Sequence, residues 1–279
     1  MPWYENRRGE RLWYEDAGTG IPIVLIHGWC MSSAVWKYQF DSLVGWTPDS
    51  YRLIAPDLRG HGRSREITSR MTFDCFADDL ADLFGSLRLS NALLLGWSMG
   101  GQIALQASVK MQEKLAGMIL ISSTPKFAAS YDFLFGLTLS ETNGMRLKMQ
   151  RNIQRAREGF CARLFAEDEL ENNPLSAEIR ELLAEIPLPK TTSALEAIDE
   201  LVNSDMRVLL PEITIPTMIV NGTDDKICIP QASSYMKEMI HGAEQLIFER
   251  CGHVPFITNK DKFNSEIVRF ARSVCGQND

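Results

Sequence analysis

Apolar positions along this chain follow two different periods. Short unbroken aliphatic runs such as 23–26 and 92–95 are typical of parallel strands that are buried on both faces. Between them lie longer stretches such as Phe73–Leu87, in which apolar residues recur at helical spacing. The predicted strands are 11–15, 23–26, 51–55, 92–96, 115–122, 217–222 and 245–248, and the predicted helices are 33–43, 73–87, 99–111, 230–240 and 260–274. This alternation predicts an α/β fold, a mostly parallel sheet flanked by helices, which opens with a β-hairpin around 11–20.

The alternation stops in the middle of the chain. Residues 125–210 show helical patterns and no convincing strand, with Pro174, Pro187 and Pro189 as breaks. We interpret this segment as a helical cap inserted into one α/β core, which consists of residues 1–124 and 211–279.

Composition narrows the class of protein. The 279 residues are 45% hydrophobic and 23% charged, as is usual for a globular protein. No apolar run approaches the ~20 residues of a membrane span, and the N-terminal residues lack the apolar region of a signal peptide. The six scattered cysteines favour free thiols over disulfides or a zinc site, and the net charge of −7 argues against nucleic-acid binding. We therefore expect a cytoplasmic protein with neither a membrane nor a nucleic-acid partner.

The candidate chemistry centres on the stretch Gly96-Trp97-Ser98-Met99-Gly100-Gly101, between a predicted strand and a predicted helix. A serine in the middle of G-x-S-x-G at such a turn has the form of a nucleophile elbow. We expect a side chain at position 96 or 100 to clash with backbone, and Ser98 to adopt a strained conformation with positive φ. Taken alone, the pattern also fits an ordinary glycine-rich β–α turn.

A serine hydroxyl needs a base beside it, and the chain contains four histidines. His253 directly follows the last predicted strand, at the sheet edge where the ends of parallel strands meet. Its alternative role is that of a structural loop histidine. Asp225, after the strand 217–222, is the preferred acid to orient the base, with Asp224 as the alternative.

An ester-cleaving serine also needs two N–H donors for the oxyanion of the tetrahedral intermediate. The backbone N–H of Met99, which follows the serine, is one expected donor, and that of Trp29 is the other. We assign structural roles to the His27 side chain and to the glycine-containing loop 57–64.

Five motifs together resemble the α/β-hydrolase superfamily along essentially the whole chain: HGW at 27–29, DLRGHGRS at 57–64, GWSMGG at 96–101, GTDD at 222–225 and GH at 252–253. The order serine, aspartate, histidine is also that of this superfamily. Within it, the chain is most similar to the esterases of biotin synthesis that act on pimeloyl-[acyl-carrier-protein] methyl ester. The features behind that similarity are the two tryptophans in HGW and GWSMGG and the stretches 122–127 and 186–189. One departure is that Pro230 falls a residue late after GTDD, which leaves the choice between Asp224 and Asp225 open.

The resemblance implies a serine carboxylesterase that cleaves a methyl ester through an acyl-enzyme, with no cofactor and no metal. Trp29, Trp97, Met31 and Met99 would form an apolar substrate pocket, with core packing as the alternative role of the two methionines. A lactonase, a C–C bond hydrolase, a cofactor-free perhydrolase and a receptor without turnover remain alternatives. Serine in place of aspartate at the elbow disfavours haloalkane dehalogenase and epoxide hydrolase.

The cap contains an unusual concentration of positive charge. The segment 142–157 carries five basic residues and no acid, and on one continuous helix Lys148, Arg151 and Arg155 share an exposed face. Such a face suits an acidic acyl carrier protein with its phosphopantetheine phosphate, the partner that the resemblance implies, so Arg151 and Arg155 are candidate substrate-binding residues. The alternative is a solvated face that is balanced by the acidic residues at 167–169 and 171.

Overall fold

A computed structural model of the chain describes residues 2–45 and 50–276. In these residues eight strands form one sheet in the order β1-β2-β4-β3-β5-β6-β7-β8. The strands are β1 (Trp3–Glu5), β2 (Arg11–Gly18), β3 (Ile21–Ile26), β4 (Tyr51–Pro56), β5 (Ala92–Trp97), β6 (Leu115–Ile121), β7 (Thr217–Gly222) and β8 (Glu244–Phe248). All neighbours from β4 to β8 are parallel, whereas β1 pairs with β2 and β2 with β4 in antiparallel fashion. The predicted α/β architecture with a mostly parallel sheet is therefore confirmed.

Apart from one short helix after His253, which was not predicted, the α-helices of the core lie where the apolar spacing predicts them. They are α1 (Lys37–Leu43), α2 (Phe73–Leu87), α3 (Met99–Met111), α8 (Pro230–Met239), α9 (Pro255–Thr258) and α10 (Lys260–Cys275). The predicted helix 33–43 begins as a 3-10 turn, Ser33–Trp36, which Ser32 caps by accepting from the Ala34 N–H. The completely buried strands β5, β6 and β7 form the centre of the hydrophobic core.

The opening hairpin differs from the prediction. It is formed by β1 and β2, while the turn after β2 leads to β3 on the far side of β4. The chain therefore crosses the start of β4, and a Cβ at Gly18 would lie 2.2 Å from the Tyr51 carbonyl oxygen. At Gly20 it would lie 2.1 Å from the Ser50 carbonyl oxygen, and both glycines have positive φ. The glycines that suggested a hairpin turn thus permit a backbone crossing.

Between β6 and β7 the chain forms four α-helices: α4 (Leu139–Arg151), α5 (Ile153–Ala162), α6 (Ser176–Glu185) and α7 (Thr191–Asn203). We call residues 125–210 the cap. The continuous helix expected over 142–157 is wrong, because Asn152 adopts an extended conformation (φ −163°, ψ 100°) that ends α4. Its side chain then accepts from the Arg155 N–H and caps α5, as asparagine favours.

The cysteines and the helix lengths bear on the expected free thiols and on the expected lack of a membrane span. All six cysteines lie among the described residues and are free thiols. In the same part of the chain, no helix combines the length and the apolar character that a membrane crossing requires.

Candidate active site

Ser98 lies in the sharp turn between β5 and α3, and has φ 57° and ψ −120°. The glycines around it permit a very close approach of backbone segments. A Cβ at Gly96 would lie 2.3 Å from the Gly100 carbonyl oxygen, and one at Gly100 would lie 2.3 Å from the Ile26 carbonyl oxygen. The predicted strain at Ser98 and the predicted clashes at positions 96 and 100 are therefore confirmed. The tight turn places the serine above the end of the sheet, at the first turn of α3.

His253 and Asp225 form a buried pair at the same edge of the sheet. His253 Nδ1 lies 2.7 Å from Asp225 Oδ2, and neither side chain is exposed. Asp225 Oδ1 accepts from the N–H groups of Ile227 (2.8 Å) and Cys228 (3.0 Å). These two donors hold the carboxylate in place, and a carboxylate at Nδ1 favours the tautomer in which that nitrogen carries the proton. The other ring nitrogen, Nε2, is then an acceptor, and it is buried without a hydrogen-bond partner among the described residues.

The structure distinguishes between the two candidate acids. Asp224 is exposed, and its carboxylate contacts the hydroxyl of Thr223 at 3.4 Å. Its backbone N–H donates to the Cys251 carbonyl oxygen at 2.9 Å. Asp225, the preferred candidate, is the one that the fold brings to His253.

The ring of Trp97 supports the histidine loop. Its Nε1–H donates to the His253 carbonyl oxygen at 2.9 Å, and the indole packs against the rings of His253 and Phe256. Trp97 is fully buried, and so are Met31 and Met99, which belong to the hydrophobic core. Their burial fits the core-packing role that the sequence left open for the two methionines, and the pocket assignment of the three side chains stays a prediction. The Trp97 indole N–H has its buried acceptor on the loop after β8.

The loop 27–29 faces Ser98 from the neighbouring strand. A Cβ at Gly28 would lie 3.2 Å from the Ser98 Cβ, so the loop backbone is close to the serine. Neither the Trp29 N–H nor the Met99 N–H donates to another group of the described residues. Two unpaired N–H groups beside a serine can bind the oxyanion of a tetrahedral intermediate.

His27 has the structural role expected for it. Its Nδ1 donates to the Gly28 carbonyl oxygen (2.8 Å), and its Nε2 accepts from the Leu58 N–H (3.1 Å). Complete burial lowers the pKa of His27 to about 4, so the ring is neutral at pH 7. The neutral ring therefore joins the loop 27–29 to the loop 57–64.

A cavity of about 390 Å³ opens between Trp29 and the helices α4 and α5. Its apolar wall includes Met149 and Phe160, whose ring meets the Trp29 ring edge-on at a centroid distance of 5.3 Å. Its basic lining consists of Lys148, Arg151, Arg155 and Arg163. Trp29, Arg151 and Arg155, three of the residues predicted to bind substrate, thus line one cavity, which reaches the loop 27–29 at Trp29.

The five basic residues of the segment 142–157 divide into two groups. Arg157 is buried and donates to the carbonyl oxygens of Leu183 and Ile186, and Arg146 pairs with Asp199. Lys148, Arg151 and Arg155 are exposed, and none of them forms an ion pair with another described residue.

Two of the four acids that were expected to balance this face, Glu169 and Glu171, are engaged elsewhere. Glu171 pairs with Arg180, and Glu169 accepts hydrogen bonds from backbone near His253. Arg163 was missed by the sequence analysis, although the i, i+4 spacing from Arg155 through Gly159 leads to it. The cavity therefore has one basic residue more than predicted, and this residue, Arg163, pairs with Glu141 at 3.9 Å.

Comparison with known proteins shows the family of this chain. The family model of the alpha/beta hydrolase fold matches residues 21–260. The chain belongs to the α/β-hydrolase family.

Several relatives of this hydrolase are similar over nearly their whole length. The pimeloyl-[acyl-carrier protein] methyl ester esterase of Nitrosospira multiformis is 29% identical, over 94% of this chain and 98% of the relative. The AB hydrolase superfamily protein YisY of Bacillus subtilis is 28% identical, over 94% and 96%. Among solved structures, the esterase EaEST from Exiguobacterium antarcticum has a TM-score of 0.89 at 28% identity, covering 97% of this chain and 98% of that one. The bromoperoxidase from Bacillus anthracis has a TM-score of 0.85 at 26% identity, with 94% and 95% covered.

Proposed function

We propose that this α/β hydrolase is a carboxylic ester hydrolase that works through an acyl-enzyme formed on Ser98. The observation that carries the proposal is the His253–Asp225 pair, because it leaves a buried and unpaired Nε2 at the sheet edge where the elbow presents its serine. The similarity to proteins named as esterases supports ester hydrolysis over other reactions of the fold.

The proposed reaction has two steps, acylation of Ser98 and hydrolysis of the acyl-enzyme. Ser98 Oγ attacks the ester carbonyl carbon while His253 Nε2 takes its proton, and the N–H groups of Met99 and Trp29 hold the oxyanion. Collapse of this intermediate breaks the carbonyl–alkoxy bond, and His253 returns the proton to the leaving alcohol. A water molecule then attacks the acyl-enzyme, with His253 again as the base, and the acid leaves while Ser98 recovers its proton. Throughout, Asp225 holds the imidazole tautomer and stabilises the imidazolium.

The proposed substrate is the methyl ester of a pimeloyl chain that is carried on acyl carrier protein. Relatives named for this reaction support it, and so does the cavity beside Trp29. Its apolar wall suits an acyl chain, and its four basic residues suit an acidic carrier with a phosphate on its prosthetic arm. Arg151 and Arg155 would then contact the carrier, with the ester directed toward Ser98.

The first experiment tests the reaction. Wild type and Ser98→Ala are compared in hydrolysis of short p-nitrophenyl esters, and we expect turnover only with wild type. Absence of turnover by a folded wild type that still binds esters would favour a receptor and refute the proposal.

The second experiment tests the carrier. Reversal of charge at Arg151 and Arg155 should reduce kcat/KM for the carrier-bound methyl ester by at least tenfold and leave a small methyl ester unaffected. Reversal at the exposed Lys237 and Arg250 of the core changes the net charge equally and is the matched control. Equal losses on both substrates would contradict the assignment of a carrier-binding face. The role in biotin synthesis is tested by expressing this chain in a strain that lacks its own biotin-synthesis esterase, and we expect growth without added biotin.

A further inference from the structure

The loop that carries His253 is bound to the cap as well as to the core. The His253 backbone N–H donates to the Leu164 carbonyl oxygen at 2.7 Å, and the preceding Gly252 N–H donates to Glu169 Oε2 at 2.8 Å. Both acceptors lie in the stretch 164–169 that follows α5. Two consecutive N–H groups of the histidine loop thus have their acceptors in the inserted helical segment.

The Glu169 carboxylate connects both sides of this loop. Its Oε2 also accepts from the Ala166 N–H (2.7 Å), and its Oε1 accepts from the Thr258 hydroxyl (2.6 Å). Thr258 ends α9, the short helix that begins two residues after His253. The carboxylate therefore holds the chain immediately before the histidine and the first turn after it. Hydrogen bonds to a carboxylate are stronger than those between neutral groups.

The contact at Gly252 is a packing of backbone on backbone. A Cβ there would lie 2.4 Å from the Leu164 carbonyl oxygen and 2.7 Å from the Ala166 nitrogen. On the other side, a Cβ at Gly222 would lie 2.1 Å from the Cys251 carbonyl oxygen. The histidine loop is thus enclosed between the end of β7 and the cap, and it has little freedom as long as the cap stays in place.

We infer that Glu169 is a positioning residue, which holds the histidine loop so that His253 Nε2 is presented to Ser98. The inference rests on the proposed function. His253 Nε2 has no hydrogen bond of its own in the described residues, so the orientation of the ring depends on Asp225 and on the backbone that carries it. Because Glu169 belongs to the cap, the active geometry of the base requires the cap to be docked on the core. The cap therefore has a part in assembling the base in addition to forming the cavity.

The test compares Glu169→Ala with Glu169→Gln. In the glutamine variant the amide oxygen can replace Oε2 as acceptor, and the amide N–H can donate to Thr258, whose own proton can go to the Val254 carbonyl oxygen 3.2 Å away. We expect the alanine variant to lose 10- to 100-fold in kcat for p-nitrophenyl acetate with KM within about twofold, since misplacement of a reacting group by about 1 Å can cost on the order of 10²-fold. The glutamine variant should retain at least a third of wild-type kcat.

The matched control is Glu171→Ala, since Glu171 is an exposed glutamate of the same segment that pairs with Arg180. All rates are expressed per active site, counted by labelling Ser98 to completion with a fluorophosphonate. This count removes any loss that comes only from misfolded protein. If Glu169→Ala has wild-type kcat per labelled site, or if glutamine is as damaging as alanine, the inference is overturned.

Two further measurements separate the possible failures. Thr258→Val removes one of the three hydrogen bonds to the Glu169 carboxylate. It replaces Glu169→Ala as the test variant if Glu169→Ala does not fold. We expect about threefold to tenfold lower kcat per site, and an unchanged kcat overturns the inference. An inactive wild type would refute the proposed function itself, whereas active wild type, inactive Ser98→Ala and unaffected Glu169→Ala would refute the positioning role alone.

Discussion

Replacement of Asp225 by asparagine tests the site most sharply, because it changes one atom and leaves the side-chain shape nearly intact. The Ile227 and Cys228 N–H groups both point at Oδ1, so the amide oxygen of asparagine must take that position. The amide NH₂ then replaces Oδ2 at 2.7 Å from His253 Nδ1. Since NH₂ can only donate, Nδ1 becomes an acceptor and the ring proton moves to Nε2.

This inverted tautomer removes the base. A protonated Nε2 cannot take the proton of Ser98, and the charge that stabilises the imidazolium is also lost. We expect kcat to fall by about 10⁴-fold, which corresponds to ~5 kcal/mol of transition-state stabilisation. The melting temperature should change by only a few degrees, because every hydrogen bond of the buried pair still has a donor and an acceptor.

The assay is initial-rate hydrolysis of p-nitrophenyl acetate, with Asp224→Asn as the control. The exposed Asp224 contacts only the Thr223 hydroxyl among the described residues, so its variant should keep wild-type kcat. A folded Asp225→Asn variant within tenfold of wild type would refute the assignment of the triad. A large loss in the Asp224 variant alone would transfer the role to that residue.

Two further predictions concern stability. Gly100→Ala should lower the melting temperature by many degrees or prevent folding, because the new Cβ would lie 2.3 Å from the Ile26 carbonyl oxygen. The control is Gly144→Ala in α4, where a Cβ meets nothing within 4 Å and should stabilise the protein by about 0.5–1 kcal/mol. A Gly100→Ala variant with an unchanged melting temperature would contradict the geometry. Burial lowers the pKa of His27 to about 4 and that of His61 to about 3, so the unfolded chain, with pKa values near 6.5, binds more protons than the native state below that pH. The free energy of unfolding in urea should therefore fall as the pH is lowered from 7 to 5.5, by on the order of 1 kcal/mol for each of the two histidines, and equal values at both pH values would show that the rings are not held neutral.

The parts of the fold that follow from local pattern were predicted well. The buried strands β3, β5 and β6 appear as largely aliphatic runs, because a strand that is covered on both faces favours apolar residues at successive positions. The elbow was predicted from its glycines, since the clashes at Gly96 and Gly100 arise within one strand–turn–helix unit and its immediate neighbour.

The errors occurred where partners are distant in sequence. Strand β1 was missed because three residues carry almost no periodicity, and the hairpin around 11–20 was wrong because β4, some thirty residues later, inserts between β2 and β3. The break at Asn152 shows a different limit. The apolar residues on both sides of Asn152 keep helical spacing, so the sequence suggests one continuous helix. The backbone at Asn152 is extended, however, and separates α4 from α5.

The sequence by itself determined the serine, the histidine and the sheet edge at which they lie, because the C-terminal ends of parallel strands meet there whatever the loops contain. Only the tertiary structure decided that Asp225 rather than Asp224 reaches His253, and that the indole of Trp97 supports the histidine loop from below the surface. It also placed Glu169 on that loop, where the sequence suggested a surface acid. These assignments depend on which backbone N–H and C=O groups of distant segments face one another, and that pairing leaves no trace in the spacing of residues along the chain.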